Sequence, residues 1–212
     1  MIDKLHFISQ ESETTSHIDS IKQALEAGCR WIQLRVKNQS EETVKQYALE
    51  AKKLCDNYDA KLIINDFPQV AKDVNAYGVH LGLLDMPVAD ARKIVGDKLI
   101  IGGTANTFEN ILLRVKSGAD YVGLGPFRFT TTKENLSPVL ELEGYQSILN
   151  KLQQAGVNIP IIAIGGIESN DISGLIEAGV HGIAVSGTIA KAENKPAIVS
   201  ELYALLNQIE VV

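Results

Sequence analysis

The hydrophobic residues of the chain follow two spacings that alternate from one end to the other. Stretches with apolar residues at positions i, i+3 and i+4, such as Ile18, Ile21 and Leu25, predict amphipathic helices. Glycines just past three of these stretches, Gly28, Gly118 and Gly179, are typical helix ends. The short apolar runs between the helices predict eight strands, at residues 5–8, 32–36, 61–65, 79–81, 99–102, 121–125, 161–164 and 182–186.

Strict alternation of strands and helices indicates parallel strands joined by right-handed crossovers. Eight such strands close most economically into a single-domain (β/α)₈ TIM barrel, which we expect to span residues 1–212. An open doubly wound sheet would carry a glycine-rich first turn, whereas residues 9–13 contain no glycine. Because the chain is shorter than the roughly 250 residues of a usual barrel, some crossovers must be short, and the third, at 67–76, looks shortest.

Composition narrows the functional classes. The 212 residues are 45% hydrophobic and 22% charged, and 20 basic against 26 acidic side chains leave a net charge of −6, as in an ordinary globular domain. An acidic balance without a basic cluster argues against nucleic acid or a membrane surface as a partner. Cys29 and Cys55 fit no disulfide framework or metal motif, so we expect structural thiols. Without a signal-peptide pattern or a membrane-spanning run, we expect a cytoplasmic protein.

Polar side chains follow the second predicted strand. Alternation places Gln33, Arg35 and Lys37 on the face opposite Ile32 and Leu34, which must pack on helices. The polar set therefore points into the barrel mouth, where chemistry gathers in this fold. Two cations in that place require an anion. The alternative is an exposed strand end with solvated side chains.

Two carboxylates follow the next two strands. Asp66 comes directly after Asn65, and Asp85 lies just past the fourth strand. Neighbouring strands are about 4.8 Å apart, so the carboxylates can converge on one cation, although Asn-Asp is also an ordinary turn sequence. Beside Arg35 and Lys37, the pair suits Mg²⁺ that carries a diphosphate.

Glycine-rich segments end the last two strands. Gly165-Gly166 and Ser186-Gly187 resemble the phosphate-monoester site that many barrels build there, or else Gly165 and Gly166 only form a tight turn. The long loop at 125–138 adds hydroxyls at Thr130 and Thr132 and a cation at Lys133. Arg128 and Glu134 are either functional or simply solvated, and we expect His80 to be packed and hydrogen-bonded rather than a general base.

These motifs occur together in a known order. The segments are Gln33-Leu-Arg-Val-Lys37, Asn65-Asp66, Val79-His-Leu-Gly with Asp85, Asp120-Tyr-Val-Gly-Leu-Gly-Pro126, Thr130-Thr-Thr-Lys133 and Ile164-Gly-Gly-Ile167. In this order, over about residues 5–190, the chain resembles the thiamine phosphate synthase family.

The resemblance implies a transferase of thiamine biosynthesis. The family condenses 4-amino-2-methyl-5-hydroxymethylpyrimidine diphosphate with 4-methyl-5-(2-phosphoethyl)thiazole, or its carboxylated form, to thiamine phosphate and diphosphate. The Mg²⁺-dependent step is dissociative: the pyrimidine methylene ionises to a carbocation that the thiazole nitrogen captures. The implied partners are therefore small-molecule substrates, with no nucleic acid and no membrane. A homo-oligomer is compatible with the sequence.

The same resemblance implies residue roles. Arg35, Lys37 and Lys133 would be catalytic, holding the departing diphosphate together with Asn65, while Gln33 would help to place the pyrimidine. The Mg²⁺ ligands would be Asp66 and Asp85. The residues expected to bind the thiazole phosphate are Thr130, Thr132, Gly166 and Ser186, with Gly187 beside them.

Two positions depart from the family pattern. Thr104 stands where a substrate-binding serine is frequent, and Leu83 stands where a glutamine often follows His-Leu-Gly. The first change keeps a hydroxyl, and the second removes a polar contact near the metal.

Two other functions stay open. A thiazole tautomerase on the same barrel should lack the full arginine, lysine and aspartate set and carry a histidine in the sixth loop, which this chain does not have. A non-catalytic phosphate sensor would need neither the metal carboxylates nor the diphosphate cations.

Overall fold

The computed structural model describes residues 1–129 and 138–207 of the chain. Its central feature is a closed barrel of eight parallel strands in sequence order. The strands are β1 Leu5–Ile8, β2 Trp31–Leu34, β3 Lys61–Asn65, β4 Gly78–Leu81, β5 Ile100–Ala105, β6 Tyr121–Leu124, β7 Ile161–Ile164 and β8 Gly182–Val185. Pairing of Leu5 with Ile183 closes the barrel between β1 and β8. The predicted TIM barrel is therefore confirmed.

Helices cover the outside of the barrel. They are α1 His17–Glu26, α2 Glu41–Asn57, α3 Pro68–Asp73, α4 Val88–Val95, α5 Phe108–Lys116, α6 Glu141–Gln154, α7 Ile172–Glu177, α8 Gly187–Ala190 and α9 Lys195–Asn207, with a 3₁₀ turn at Ser169–Asp171. The short third crossover is confirmed, since α3 has six residues. Within the described ranges, no helix has the length and apolar character that crossing a membrane requires.

Alternation along the strands separates two hydrophobic layers. Ile32, Leu34 and Val36 belong to the outer layer between the strands and the helices, as their spacing predicts. The inner layer fills the barrel, and Trp31 lies there fully buried, stacked on His6 with ring centroids 4.4 Å apart. Cys29 and Cys55 are free and buried, and burial raises the pKa of each thiol to about 12, as expected for structural cysteines.

The prediction for the fifth strand is wrong in its end point. β5 continues to Ala105, so Thr104 lies within the strand rather than after it. The glycines at 102 and 103 allow this, because neighbouring side chains fill the space a Cβ would take. An ideal Cβ on Gly102 would lie 2.1 Å from the Tyr121 ring, and one on Gly103 would lie 2.7 Å from Cδ of Arg114.

Candidate active site

The predicted polar residues lie around one end of the barrel. Asn65 is the last residue of β3, Asp85 follows β4, and Gly166 and Ser186 follow β7 and β8. β2 stops at Leu34, two residues earlier than predicted, so Arg35 and Lys37 lie just beyond it. The predicted phosphate and diphosphate ligands Thr130, Thr132 and Lys133 lie outside the described residues.

Two carboxylates and a lysine meet between β3 and β4. The Lys37 amino group forms an ion pair with Asp66, which is itself hydrogen-bonded to Asp85. Burial and the Asp85 hydrogen bond raise the pKa of Asp66 to about 6, against the opposing effect of Lys37. Two close carboxylates repel each other when both are ionised, so this pair suits a divalent cation.

Few side chains at the site can serve as metal ligands. Among residues 1–129 and 138–207, no three histidine, cysteine or acidic side chains gather as metal ligands. Mg²⁺ binds in proteins through one or two carboxylates and takes its other ligands from water and phosphate oxygens. Asp66 and Asp85 therefore fit Mg²⁺ that arrives with a diphosphate better than a metal held by protein ligands alone.

Asn65 adds an unused donor beside this pair. Its side chain is 6% exposed, and its Nδ2 finds no hydrogen-bond acceptor in the described part of the chain. A buried amide without a partner is costly. An anionic ligand with oxygen acceptors would satisfy it, which matches the predicted diphosphate contact.

Polar side chains from four strands form a hydrogen-bonded chain inside the barrel. The His80 ring is hydrogen-bonded to the Tyr121 hydroxyl at 3.0 Å and to Thr104 Oγ1 at 3.1 Å. Tyr121 also contacts Gln33, and burial raises its pKa well above the ordinary value. Both ring nitrogens of His80 are thus engaged, as expected for a packed histidine, and the chain links Thr104 to Gln33.

Glycines shape the loop after β7. Gly165 and Gly166 have φ values of 100° and 68°, which favour glycine. The Phe127 and Arg128 amides donate to the carbonyls of Ile164 and Gly165, at 2.9 and 3.0 Å. These contacts fix the loop that the sequence predicts to hold a phosphate.

The loop after β8 is fastened through its hydroxyls. Ser186 Oγ lies 2.8 Å from the Ile8 carbonyl oxygen, and Thr188 donates to the Ile167 carbonyl at 2.7 Å. Gly187, beside Ser186, is the first residue of α8. The loops after β7 and β8, which carry the predicted phosphate residues, are therefore held next to each other.

Two arginines hold the site together, and the sequence interpretation missed one and left the other open. Arg128 Nη1 donates to the Gly166 carbonyl at 2.6 Å, and its guanidinium binds Asp171 through two hydrogen bonds of 2.7 and 2.8 Å. Arg114 is buried on α5 and reaches the carbonyls of Gly82 and Thr104. Its position three residues after Ile111, on the buried helix face, is the signal that could have identified it.

Comparison with known proteins shows which family the sequence resembles. The family model described as thiamine monophosphate synthase matches residues 5–189. A thiamine-phosphate synthase from Bacteroides fragilis is 52% identical over 203 residues, covering 96% of this chain and 98% of that protein. One from Flavobacterium johnsoniae is 51% identical over 202 residues, covering 95% of each chain.

A solved structure gives the same result. Thiamine phosphate pyrophosphorylase from Pyrococcus furiosus superposes with a TM-score of 0.82 at 32% identity, covering 98% of this chain and 97% of the other. Fold and sequence thus agree over nearly the whole length, and the chain belongs to the thiamine monophosphate synthase family.

Proposed function

We propose that the chain is a thiamine-phosphate synthase: a transferase that joins a hydroxymethylpyrimidine diphosphate to a thiazole phosphate and releases diphosphate. The observation that carries the site assignment is the meeting of Asp66, Asp85 and Lys37 near Asn65, whose Nδ2 has no acceptor among residues 1–129 and 138–207. A monophosphate isomerase or a phosphate sensor has no use for this combination.

In the proposed reaction, the methylene carbon–oxygen bond of the pyrimidine breaks first. Diphosphate leaves with the bonding electron pair, and the carbocation that remains accepts the lone pair of the thiazole nitrogen. The new carbon–nitrogen bond gives the thiazolium ring of thiamine phosphate. No proton is transferred, so the lack of an available general base at His80 is no obstacle.

Charge on the leaving diphosphate grows as the bond breaks, so groups that bind it more tightly in the transition state raise kcat. Arg35, Lys37 and Lys133 would supply positive charge, and Asn65 would donate a hydrogen bond. Asp66 and Asp85 would hold Mg²⁺, and the bound ion would neutralise charge on the diphosphate.

The second substrate binds on the other side of the mouth. Gly166, Ser186 and Gly187, with Thr130 and Thr132, would hold the thiazole phosphate. Gln33 would orient the pyrimidine, and its own orientation is supported by Tyr121, His80 and Thr104. Holding the two substrates together provides much of the acceleration of a bimolecular reaction.

The test is turnover with purified protein. Pyrimidine diphosphate, thiazole phosphate and Mg²⁺ should yield thiamine phosphate and diphosphate in equal amounts, and omission of either substrate should abolish both products. Replacing the pyrimidine methyl group by trifluoromethyl should slow the reaction greatly, because the ring then stabilises positive charge poorly at nearly unchanged size.

Other outcomes would identify the other functions. Conversion of a carboxylated thiazole phosphate without metal would indicate a tautomerase, and binding without turnover would indicate a sensor.

The metal assignment has its own test. EDTA should abolish turnover, and Asp66→Ala or Asp85→Ala should lower kcat by orders of magnitude in folded protein. Full activity in EDTA would refute the metal assignment.

A further inference from the structure

Arg114 is a cation buried where no substrate is expected. It lies on α5 and is 7% exposed. Burial of a guanidinium is expensive unless its donors are satisfied. Nε donates to the Thr104 carbonyl at 3.0 Å, and Nη2 donates to the Gly82 carbonyl at 2.8 Å. One side chain therefore joins the end of β4 to β5.

The carbonyl that Arg114 binds belongs to the turn that carries Asp85. The Gly82 amide donates to Asp85 Oδ2 at 2.6 Å, so the same residue contacts Arg114 through its carbonyl and Asp85 through its amide. Asp85 is in turn hydrogen-bonded to Asp66. The geometry of Gly82 consequently determines how Asp85 faces Asp66.

The chain also leaves space for this arginine. An ideal Cβ on Gly103 would lie 2.7 Å from Arg114 Cδ, so any larger residue there would push the side chain away. Burial lowers the pKa of Arg114. The nearby Asp85 carboxylate opposes that effect and so favours the charged guanidinium. The interaction therefore couples a cation on α5 to the carboxylate after β4.

We propose that Arg114 is a positioning residue for metal binding: by holding the turn of residues 82–85, it keeps Asp85 aimed at the cation shared with Asp66. The inference rests on the proposed function, because Asp66 and Asp85 are metal ligands only there. Groups that orient metal ligands without touching the metal commonly change metal affinity 10- to 100-fold when removed.

The test measures metal affinity directly. Mn²⁺ binding to the full chain in the presence of inorganic diphosphate can be followed by electron paramagnetic resonance, without turnover. Arg114→Met, which keeps the length and removes the donors, should weaken Mn²⁺ binding about tenfold or more. Arg114→Lys should restore part of the loss, and the KM for thiazole phosphate should stay within about twofold.

Arg92 provides a matched control. It also links the segments of two neighbouring strands, because it donates to the Leu99 carbonyl just before β5 at 2.6 Å and pairs with the Asp120 carboxylate just before β6 at 2.7 Å. These contacts lie at the opposite end of the barrel. Arg92→Met should lower Tm and leave Mn²⁺ affinity unchanged. Equal losses of Tm in both variants with unchanged Mn²⁺ affinity in Arg114→Met would show a structural role only and overturn the proposal.

A second variant covers a failure of Arg114→Met to fold. Gly103→Ala displaces Arg114 without removing it and should also weaken Mn²⁺ binding. Wild-type affinity in folded Gly103→Ala would overturn the positioning role. If the wild-type protein itself binds no Mn²⁺ with diphosphate, the metal site of the proposed function is wrong, and Arg114 has no such role.

Discussion

At the scale of single residues, Asn65 serves ligand binding at a cost in stability. Its amide Nδ2 is buried without an acceptor among the described residues. An unsatisfied buried donor costs about 1–3 kcal/mol, and such a group persists where a ligand uses it. Asn65 therefore lowers the free energy of unfolding of the ligand-free protein.

Asn65→Leu should show this directly. The variant keeps the branched shape and the number of side-chain heavy atoms and removes the orphaned donor, so the free energy of unfolding should rise by about 1 kcal/mol. Turnover should fall by tenfold or more, because a charge-assisted hydrogen bond to the leaving diphosphate is lost. Urea unfolding and steady-state kinetics measure the two effects. Lower stability together with normal kcat would contradict this role.

His6 predicts how stability responds to acid. Burial lowers the pKa of His6 from 6.5 to about 3, with a smaller opposing effect from the Asp3 carbonyl. The unfolded chain thus binds a proton below pH 6.5 that the native protein does not bind, so stability is complete above pH 6.5 and falls on acidification. Between pH 7 and pH 5 the loss from this residue is about 2 kcal/mol.

His6→Phe isolates this effect. Phenylalanine can keep the stacking on Trp31 and cannot titrate. From pH 7 to pH 5 the wild type should lose about 2 kcal/mol more unfolding free energy than the variant, as measured by urea denaturation. Parallel pH profiles for the two proteins would show that His6 titrates normally.

The arginine contacts show what a sequence cannot predict at this scale. Arg35, Lys37, Asp66 and Asp85 were predictable because they stand at strand ends. Arg114 binds a carbonyl 32 residues away, and its role depends on which peptide group comes within reach after folding. Such contacts involve main-chain atoms that every residue has, so no pattern of residue types predicts them.

At the scale of elements, the strand order followed from the alternation of strands and helices, and the short third crossover followed from the chain length and the spacing of the predicted strands. The end of β5 did not, because two consecutive glycines read as a break, whereas here they accommodate Tyr121 and Arg114. The helix α8, with four residues, is too short to show a helical period. Local patterns thus predicted the elements, and their ends depended on packing between neighbours.

Gly182 tests the packing between β1 and β8. An ideal Cβ there would lie 2.2 Å from the Lys4 carbonyl oxygen, a main-chain atom that cannot move alone. Gly182→Ala should therefore lower the free energy of unfolding by about 1–3 kcal/mol or more. Gly187→Ala is the control, because its nearest neighbour is a flexible lysine chain at 3.7 Å, and its effect on stability should stay within about 1 kcal/mol. Equal effects would contradict the close approach.

At the scale of the whole molecule, the site draws on strands from around the barrel, so ligand binding should stabilise all of it. Mg²⁺ and diphosphate together, at a hundredfold excess over Kd, should add about 2.7 kcal/mol, or roughly 5–10 °C in Tm for a chain of this length. Thermal unfolding should show little shift with diphosphate in EDTA. A full shift without metal would contradict joint binding.

The pairing of β1 with β8 affects how the chain folds during its synthesis. Leu5 and Phe7 leave the ribosome long before the strand that covers their open edge, which begins at Gly182. Until β8 emerges, the nascent sheet therefore has an unpaired edge, the kind of surface on which chains aggregate and chaperones act. Pausing between the synthesis of β1 and that of β8 prolongs that state, whereas faster synthesis of this stretch shortens it. The yield of folded protein in a cell should therefore depend on how quickly translation proceeds from β1 to β8.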